Sequence, residues 1–193
     1  RHIPIEIISA DEDWNRGLKQ GAAGFLAKPV SKEGLGRAFG DLQREMESGT
    51  RQVLVVCSKQ KDRNLIKSGL ELEGVRVKAV PGSQEALASL KGGRWDCVAL
   101  ELPDPEGFRL LQAIHANPEH SNLPLVAYLA GGMTDKEEAE LKRFAKACVL
   151  KEVRSHERLF DEAALFLHLP MVSLPEARRR SIEQLHQSAA ILS

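Results

Sequence analysis

Two pairs of side chains are the first to suggest chemistry. Ser58 and Lys59 follow the apolar run Val53-Leu-Val-Val56, and Glu101 and Asp104 sit at and just beyond the end of the run Asp96–Leu102. Lys151 follows a third apolar run, Ala147-Cys-Val-Leu150. A carboxylate at one strand end and lysines at others suit a permanent ion pair, Glu101 with Lys59 or with Lys151. The plainer reading is a strand-end carboxylate solvated or paired for stability, and such pairs support geometry more surely than stability. Other chemistry is poorly provided for. Cys57, Cys97 and Cys148 fall on or beside apolar runs and form no C-x-x-C pair; buried inert thiols are expected. His115, His120, His156, His168 and His186 show no metal-ligand spacing. No G-x-x-x-x-G-K is present, and Gly131-Gly132 reads as a turn. Arg178-Arg-Arg180 reads as a solvated helix face.

The elements that must position these groups alternate. Ile3–Ile8 reads as a strand, and Ser9-Ala-Asp11 as the cap of a polar helix to about Gln20. Phe25-Leu-Ala27 is a short strand, and a helix from Ser31 runs to about Met46. From Gln52 the pattern restarts. Strands are expected at 53–56, 75–80, 96–102, 123–129 and 147–150, and helices at 61–73, 83–90, 108–116, 134–145 and 155–167. Strict alternation with continuous apolar strands implies a parallel sheet covered on both faces. A further amphipathic helix is expected over 175–191.

Residues 1–48 resemble a later part of the chain. Pro4–Ala10 parallels Pro124–Ala130, and Phe25–Val30 parallels Cys148–Val153. Residues 1–48 thus read as the last two βα units of a domain whose complete copy is 52–168, with 169–193 a helical linker. Such a half-sheet leaves an apolar strand edge uncovered. It is expected to pair with another chain or to dock on the second unit.

Composition narrows the function classes. Lys and Arg number 27, as do Asp and Glu, so no basic face is implied and nucleic acid is not the expected partner. No apolar run approaches the roughly 20 residues of a membrane helix. The odd, sparse cysteine set suits a reduced, cytoplasmic protein. The N-terminal Arg-His-Ile-Pro carries no signal pattern, and the chain reads as a piece of something longer, whose parent could be membrane-attached elsewhere.

Several stretches carry a resemblance: Val53–Val56, Asp96–Phe108 with its Leu-Pro-Asp and Gly-Phe, Leu123-Pro124, Lys28-Pro29 and Lys151–His168. Together they resemble the CheY-like response-regulator receiver domains, and more closely the tandem receivers of multi-domain hybrid sensor histidine kinases of bacterial two-component systems. The resemblance implies a flavodoxin-like, doubly wound α/β fold with a five-stranded parallel sheet. It also implies a site at the carboxyl ends of the strands, built from an acidic pair holding Mg²⁺, a phosphoaccepting aspartate, a Thr or Ser, and a Lys.

Carried over by that resemblance, the complete copy departs from the pattern at most positions. Ser58 and Lys59 stand at the acidic pair, Glu101 at the aspartate and Leu129 at the hydroxyl; Lys151 alone matches. The loop before Gly107 is about two residues short of the family pattern, which leaves Asp104 as an alternative acidic group. The switch aromatic, three before the lysine, is Cys148 here and Phe25 in the first unit. The first unit keeps Ser9, Phe25, Lys28 and Pro29. The Lys28–Pro29 bond is expected to be cis, and Lys151–Glu152 trans. No metal is expected, Mg²⁺ included, and no cofactor.

The expectation is therefore a pseudo-receiver, not an enzyme, acting in a phosphorelay protein by protein–protein contact. Glu101 would mimic a phosphorylated aspartate in its ion pair. Partners would be neighbouring receiver and kinase domains, or a second copy meeting it through 134–167 or through the half-receiver. Two alternatives stand beside it: a receiver phosphorylated on Asp104 or Glu101, and a nucleotide-sensing pseudo-receiver using Arg76, Arg94 or Arg109.

Overall fold

A computed structural model of the chain describes residues 3–10, 14–47, 49–120 and 122–169, with the backbone alone over 44–47. The helix expected over 175–191, with Arg178–Arg180 and His186, lies outside the described residues.

The second unit alternates strand and helix throughout. Its strands are β3 (Arg51–Val56), β4 (Val75–Val80), β5 (Cys97–Leu102), β6 (Leu125–Leu129) and β7 (Leu150–Val153). Its helices are α3 (Gln60–Leu70), α4 (Ser83–Gly92), α5 (Pro105–Ala116), α6 (Asp135–Ala147) and α7 (His156–Phe166). The strands form one parallel sheet in the order β4-β3-β5-β6-β7. This is the doubly wound five-stranded α/β fold. A short 3₁₀ turn, Pro118–His120, precedes β6.

Strand periodicity divides the core in two. Val53 and Val55 of β3, with Cys97 and Ala99 of β5, face Ile66, Leu70, Leu159 and Ala163 of α3 and α7. Leu54 and Val56, with Val98, Leu100 and Leu102, face Leu110, Leu111, Leu141 and Phe144 of α5 and α6. A two-residue side-chain period on strands buried on both faces produces this split. Edge strand β4 alternates instead and turns Arg76 outward, which discourages pairing with another chain.

Local chemistry sets the helix starts. Thr134 and Glu137 form a reciprocal capping box on α6. The Ser155 hydroxyl accepts from Arg158 N at the start of α7. Helix α5 begins at Pro105, earlier than the expected 108, because Asp104 caps it and Pro105 fills the first helical position. Ser83 is the first residue of α4, behind the N-cap Gly82. There it donates to the Glu106 carboxylate from its hydroxyl at 2.6 Å and from its backbone N–H at 2.9 Å. Those bonds hold the Glu106 carboxyl below its usual range.

The first unit is β1 (Glu6–Ser9), α1 (Trp14–Lys19), β2 (Gly24–Ala27) and α2 (Lys32–Glu47). β1 and β2 pair in parallel as a separate two-stranded sheet. The edge of β1 stays outside the five-stranded sheet, and Ile3, Ile5, Ile8, Leu35 and Phe39 are exposed. The unit docks on the second through α1, whose Leu18 is buried with Phe166 and Leu169. Lys28–Pro29 is cis. Leu102–Pro103 is cis as well, which the sequence reading did not anticipate. No helix among the described residues is long and apolar enough to cross a membrane.

The junction of β5 and α5 is tight enough to test. A Cβ on Gly107 would stand 2.6 Å from the Glu101 carbonyl oxygen. Gly107→Ala is expected to cost about 1–3 kcal/mol by overpacking, read as a lower midpoint in urea. A midpoint equal to that of the parent protein would mean α5 can shift freely off the strand.

Candidate functional site

The carboxyl ends of β3 and β5 bring Cys57, Lys59 and Glu101 together. β5 runs fully buried from Cys97 to Leu102, and Glu101 is carried into the interior with it, 3% exposed. A carboxylate so placed needs a counter-charge or hydrogen bonds. It has both. Lys59 Nζ stands 2.8 Å from Glu101 Oε1, and Cys57 Sγ donates to Oε2 at 2.8 Å.

Lys59 comes from the N-cap position of α3, where its side chain makes no capping hydrogen bond. Short acceptors such as Asp or Ser are preferred there. A cation beside the positive end of a helix is unfavourable. The lysine is placed against local preference, and its ammonium goes to Glu101 instead. One turn on, Arg63 reaches back to the carbonyls of Cys57 at 2.7 Å and Ser58 at 3.0 Å, holding the loop between β3 and α3. The Lys59 side chain remains 64% exposed, so one end of the pair is wet and the other dry.

Electrostatics follow the geometry. The hydrogen bond to Glu101 raises the Lys59 ammonium above its ordinary value. Burial, then the hydrogen bond to Glu101, pushes the Cys57 thiol up to about 12. Burial likewise raises Cys97 and Cys148. These thiols stay protonated near neutrality, and a protonated thiol is a poor nucleophile.

The remaining positions separate. Ser58 donates to Asp104 Oδ2 at 2.7 Å, and Asp104 Oδ1 accepts from Glu106 N at 2.8 Å. Both Asp104 oxygens are thus engaged in closing the loop and capping α5. Leu129 packs in the apolar core at the end of β6 and offers no hydroxyl. Tyr128, level with Glu101 across the sheet, stacks on His156 with ring centroids 4.5 Å apart.

Lys151 does not reach Glu101. Its ammonium lies 3.5 Å from Glu162 on α7, and the residue is level with Val126, while Val153 stands beside Tyr128. The internal repeat explains the displacement. In the first unit Ser9 pairs with Ala27, so Lys28 follows at the strand end and its N–H donates to the Ser9 carbonyl at 2.8 Å. Leu150, the counterpart of Ala27, pairs with Leu125 and not with Leu129, the counterpart of Ser9. The offset is 129 − 125 = 4 residues, roughly 13 Å of strand. Gly21 ends the first helix with a positive φ, whereas α6 continues to Ala147 and β7 starts only at Leu150.

Ser9 and Lys28 therefore meet at one end of the two-stranded sheet, with Pro29 beyond them. Phe25 pairs with Ile7, and its ring lies near Gly17 of α1. Arg76, Arg94 and Arg109 do not converge: Arg76 is on edge strand β4, Arg94 lines a cleft near His120, and Arg109 pairs with Glu106 on α5. The sequence reading missed Cys57 as a partner of Glu101. Its signal was position alone, as the last buried residue before Ser58 and Lys59. It also missed Arg63, one helical turn past the lysine.

The pair can be tested by coupling. Lys59→Met leaves Glu101 buried without its cation and is expected to lower the denaturation midpoint. Adding Glu101→Gln is expected to restore most of that loss, because a neutral amide needs no counter-charge. Strictly additive losses would show that the two do not interact. Cys57 is expected to resist alkylation at pH 8 until the protein unfolds. Its folded value, about 12, exceeds the ordinary 9.0, so its stabilisation is complete below pH 9 and lost as pH rises towards 12.

No family model matches the sequence, and no curated protein matches it. Solved structures do. A signal receiver domain of a signal transduction histidine kinase from Syntrophus aciditrophicus superposes with a TM-score of 0.52 at 16% identity, over 61% of this chain and 90% of that one. A response regulator receiver protein from Pseudomonas putida gives 0.51 at 18%, over 59% and 95%. A chemotaxis response regulator of Vibrio cholerae gives 0.50 at 19%, over 61% and 98%. With its sheet order and its carboxylate at the end of β5, the second unit has the CheY-like receiver fold.

Proposed function

We propose that the second unit is a pseudo-receiver: it keeps the receiver fold, has given up phosphoryl transfer, and works by protein–protein contact within a two-component signalling protein. The observation that carries this reading is the Lys59 ammonium 2.8 Å from Glu101, a fixed cation beside the strand-end carboxylate. The receiver fold implies Mg²⁺ at this end of the sheet. Mg²⁺ demands a near-octahedral shell of oxygen ligands at 2.0–2.1 Å. The donor set here does not fit it. Glu101 is flanked by an ammonium and a thiol, and Asp104 is committed to Ser58 and to the start of α5. Among the described residues no cluster of three His, Cys, Asp or Glu side chains could hold a metal.

Two further features support the reading. Leu129 offers no hydroxyl to a phosphoryl oxygen, and Lys151 is turned to Glu162. The Glu101–Lys59 pair already joins the strand end to the start of α3, a fixed counterpart of a charge that would otherwise come and go. The internal repeat supports a place among tandem receivers of a hybrid kinase. The natural partners are then neighbouring receiver and kinase domains, or a second copy through 134–167 or through the first unit, whose Ile5 and Phe39 are exposed.

Incubation of the whole chain with acetyl phosphate and Mg²⁺, followed by intact mass spectrometry, tests this. No added phosphoryl mass is expected under conditions that load a phosphorylatable receiver control. A phosphoryl adduct mapping to Asp104 or Glu101 would overturn the reading.

A further inference from the structure

At the amino ends of β5 and β6, away from Glu101, a cleft of about 390 Å³ lies between the two units. That volume is within the range of small-molecule sites. The first unit supplies Leu18 and Gly21 from the end of α1, and the second supplies Trp95, His120, Phe166 and His168. Arg94 stands where this cleft meets a second one, lined by Phe25 and Arg37 of the first unit. Two of the walls are held in place. Asn15 of α1 donates from Nδ2 to the Lys146 carbonyl, at the end of α6, at 2.9 Å. Trp95 Nε1 donates to the Ser89 carbonyl at 3.0 Å, which fixes the ring.

His168 occupies its place in the cleft against local preference. Helix α7 ends in a Schellman turn, with His168 N donating to Leu165 O at 3.2 Å and Leu169 N to Ala164 O at 3.1 Å. Glycine is usual at the left-handed position of such a turn. The end of α1 follows that rule in the same cleft, with Gly21 at φ +89°. Helix α7 puts His168 there instead, at φ +50° and 8% exposed. A buried imidazole kept where glycine suits the backbone better is the kind of local disagreement that marks binding sites. The other polar groups set the sign of the ligand. Asp96 is committed, since its Oδ2 accepts from Gln52 N at 2.7 Å and its Oδ1 lies 3.7 Å from Arg51. The Ser89, Ala164 and Leu165 carbonyls at the ends of α4 and α7 already have donors. Beyond these, the polar lining is mostly able to donate: Arg94, His120, Asn122 and His168, against the exposed Glu119.

We propose that this cleft binds a small organic acid with a flat apolar body. Its carboxylate is met by Arg94 and by the imidazoles of His120 and His168, charge-assisted hydrogen bonds being the stronger kind. Its apolar body lies among Leu18, Trp95 and Phe166. Both units line the cleft, so the ligand bridges them, at the opposite end of β5 from Glu101. Its binding does not depend on whether the second unit takes a phosphoryl group.

Amide NMR of the whole chain, titrated with phenylacetate and with indoleacetate, tests it. Saturable shifts are expected at Arg94, Trp95, His120 and His168, and at the indole N–H of Trp95, with a Kd of about 1 mM or tighter for at least one of the two acids. The neutral phenylacetamide is expected to bind about tenfold more weakly than phenylacetate. Arg94→Gln and His168→Gly are each expected to weaken binding of the acid about tenfold. Glycine accepts the left-handed turn, so the second variant keeps the end of α7. Inorganic phosphate is expected to leave these amides in place. Absence of saturable shifts with both acids would overturn the proposal. So would equal binding of phenylacetamide or of phosphate, or full affinity in both variants.

Discussion

A carboxylate buried at the end of a central strand is the constraint on which the site depends. Removing a carboxylate from water costs several kcal/mol even after relaxation, so Glu101 can stay at 3% exposure only if something answers its charge. Lys59 does, at 2.8 Å, and Cys57 supplies a second hydrogen bond. The demand explains a choice that local rules disfavour, a lysine at the N-cap of α3. It also explains why the turn there is held by Arg63 from within the helix and not by a capping side chain. Local disagreement of this kind tends to mark functional positions. Here it marks the carboxyl end of β3, beside the buried carboxylate of β5.

The same constraint accounts for the loop between β5 and α5. With Glu101 turned inward, Asp104 is free to cap α5 and to accept from Ser58, which ties the two strand-end loops together. Gly107 then lets α5 approach the Glu101 carbonyl closely. Two interactions thus bridge the cleft, one buried and ionic, the other exposed and neutral at the donor.

The fold was legible in the sequence because its signals are dense and mutually consistent. Continuous apolar runs such as Val53–Val56 and Cys97–Leu102 admit few readings besides strands buried on both faces. The regular alternation with amphipathic helices leaves a doubly wound sheet. The Glu101–Lys59 pairing was legible too, as one of two candidates. Lys151 misled because position in a motif was taken for position on the sheet. The structure carries α6 on to Ala147, so β7 begins only at Leu150 and sets Lys151 beside Val126. Cys57 was missed because a cysteine at the end of an apolar run reads as core, and it is core; only the geometry adds a hydrogen bond. The contact of α1 with the end of α6 joins residues about 130 apart in sequence, which no local pattern announces.

The proposal that the Glu101–Lys59 pair stands in for a working metal and phosphoryl site is tested most directly by an amide NMR titration of the whole chain. Mg²⁺ is added first, then beryllofluoride, which forms a mimic of phosphorylated aspartate. A pseudo-receiver predicts no saturable shifts at Lys59, Glu101, Asp104 or residues 134–167. Saturable shifts at those amides would contradict it, because a working acidic site would then exist beside the Glu101–Lys59 pair.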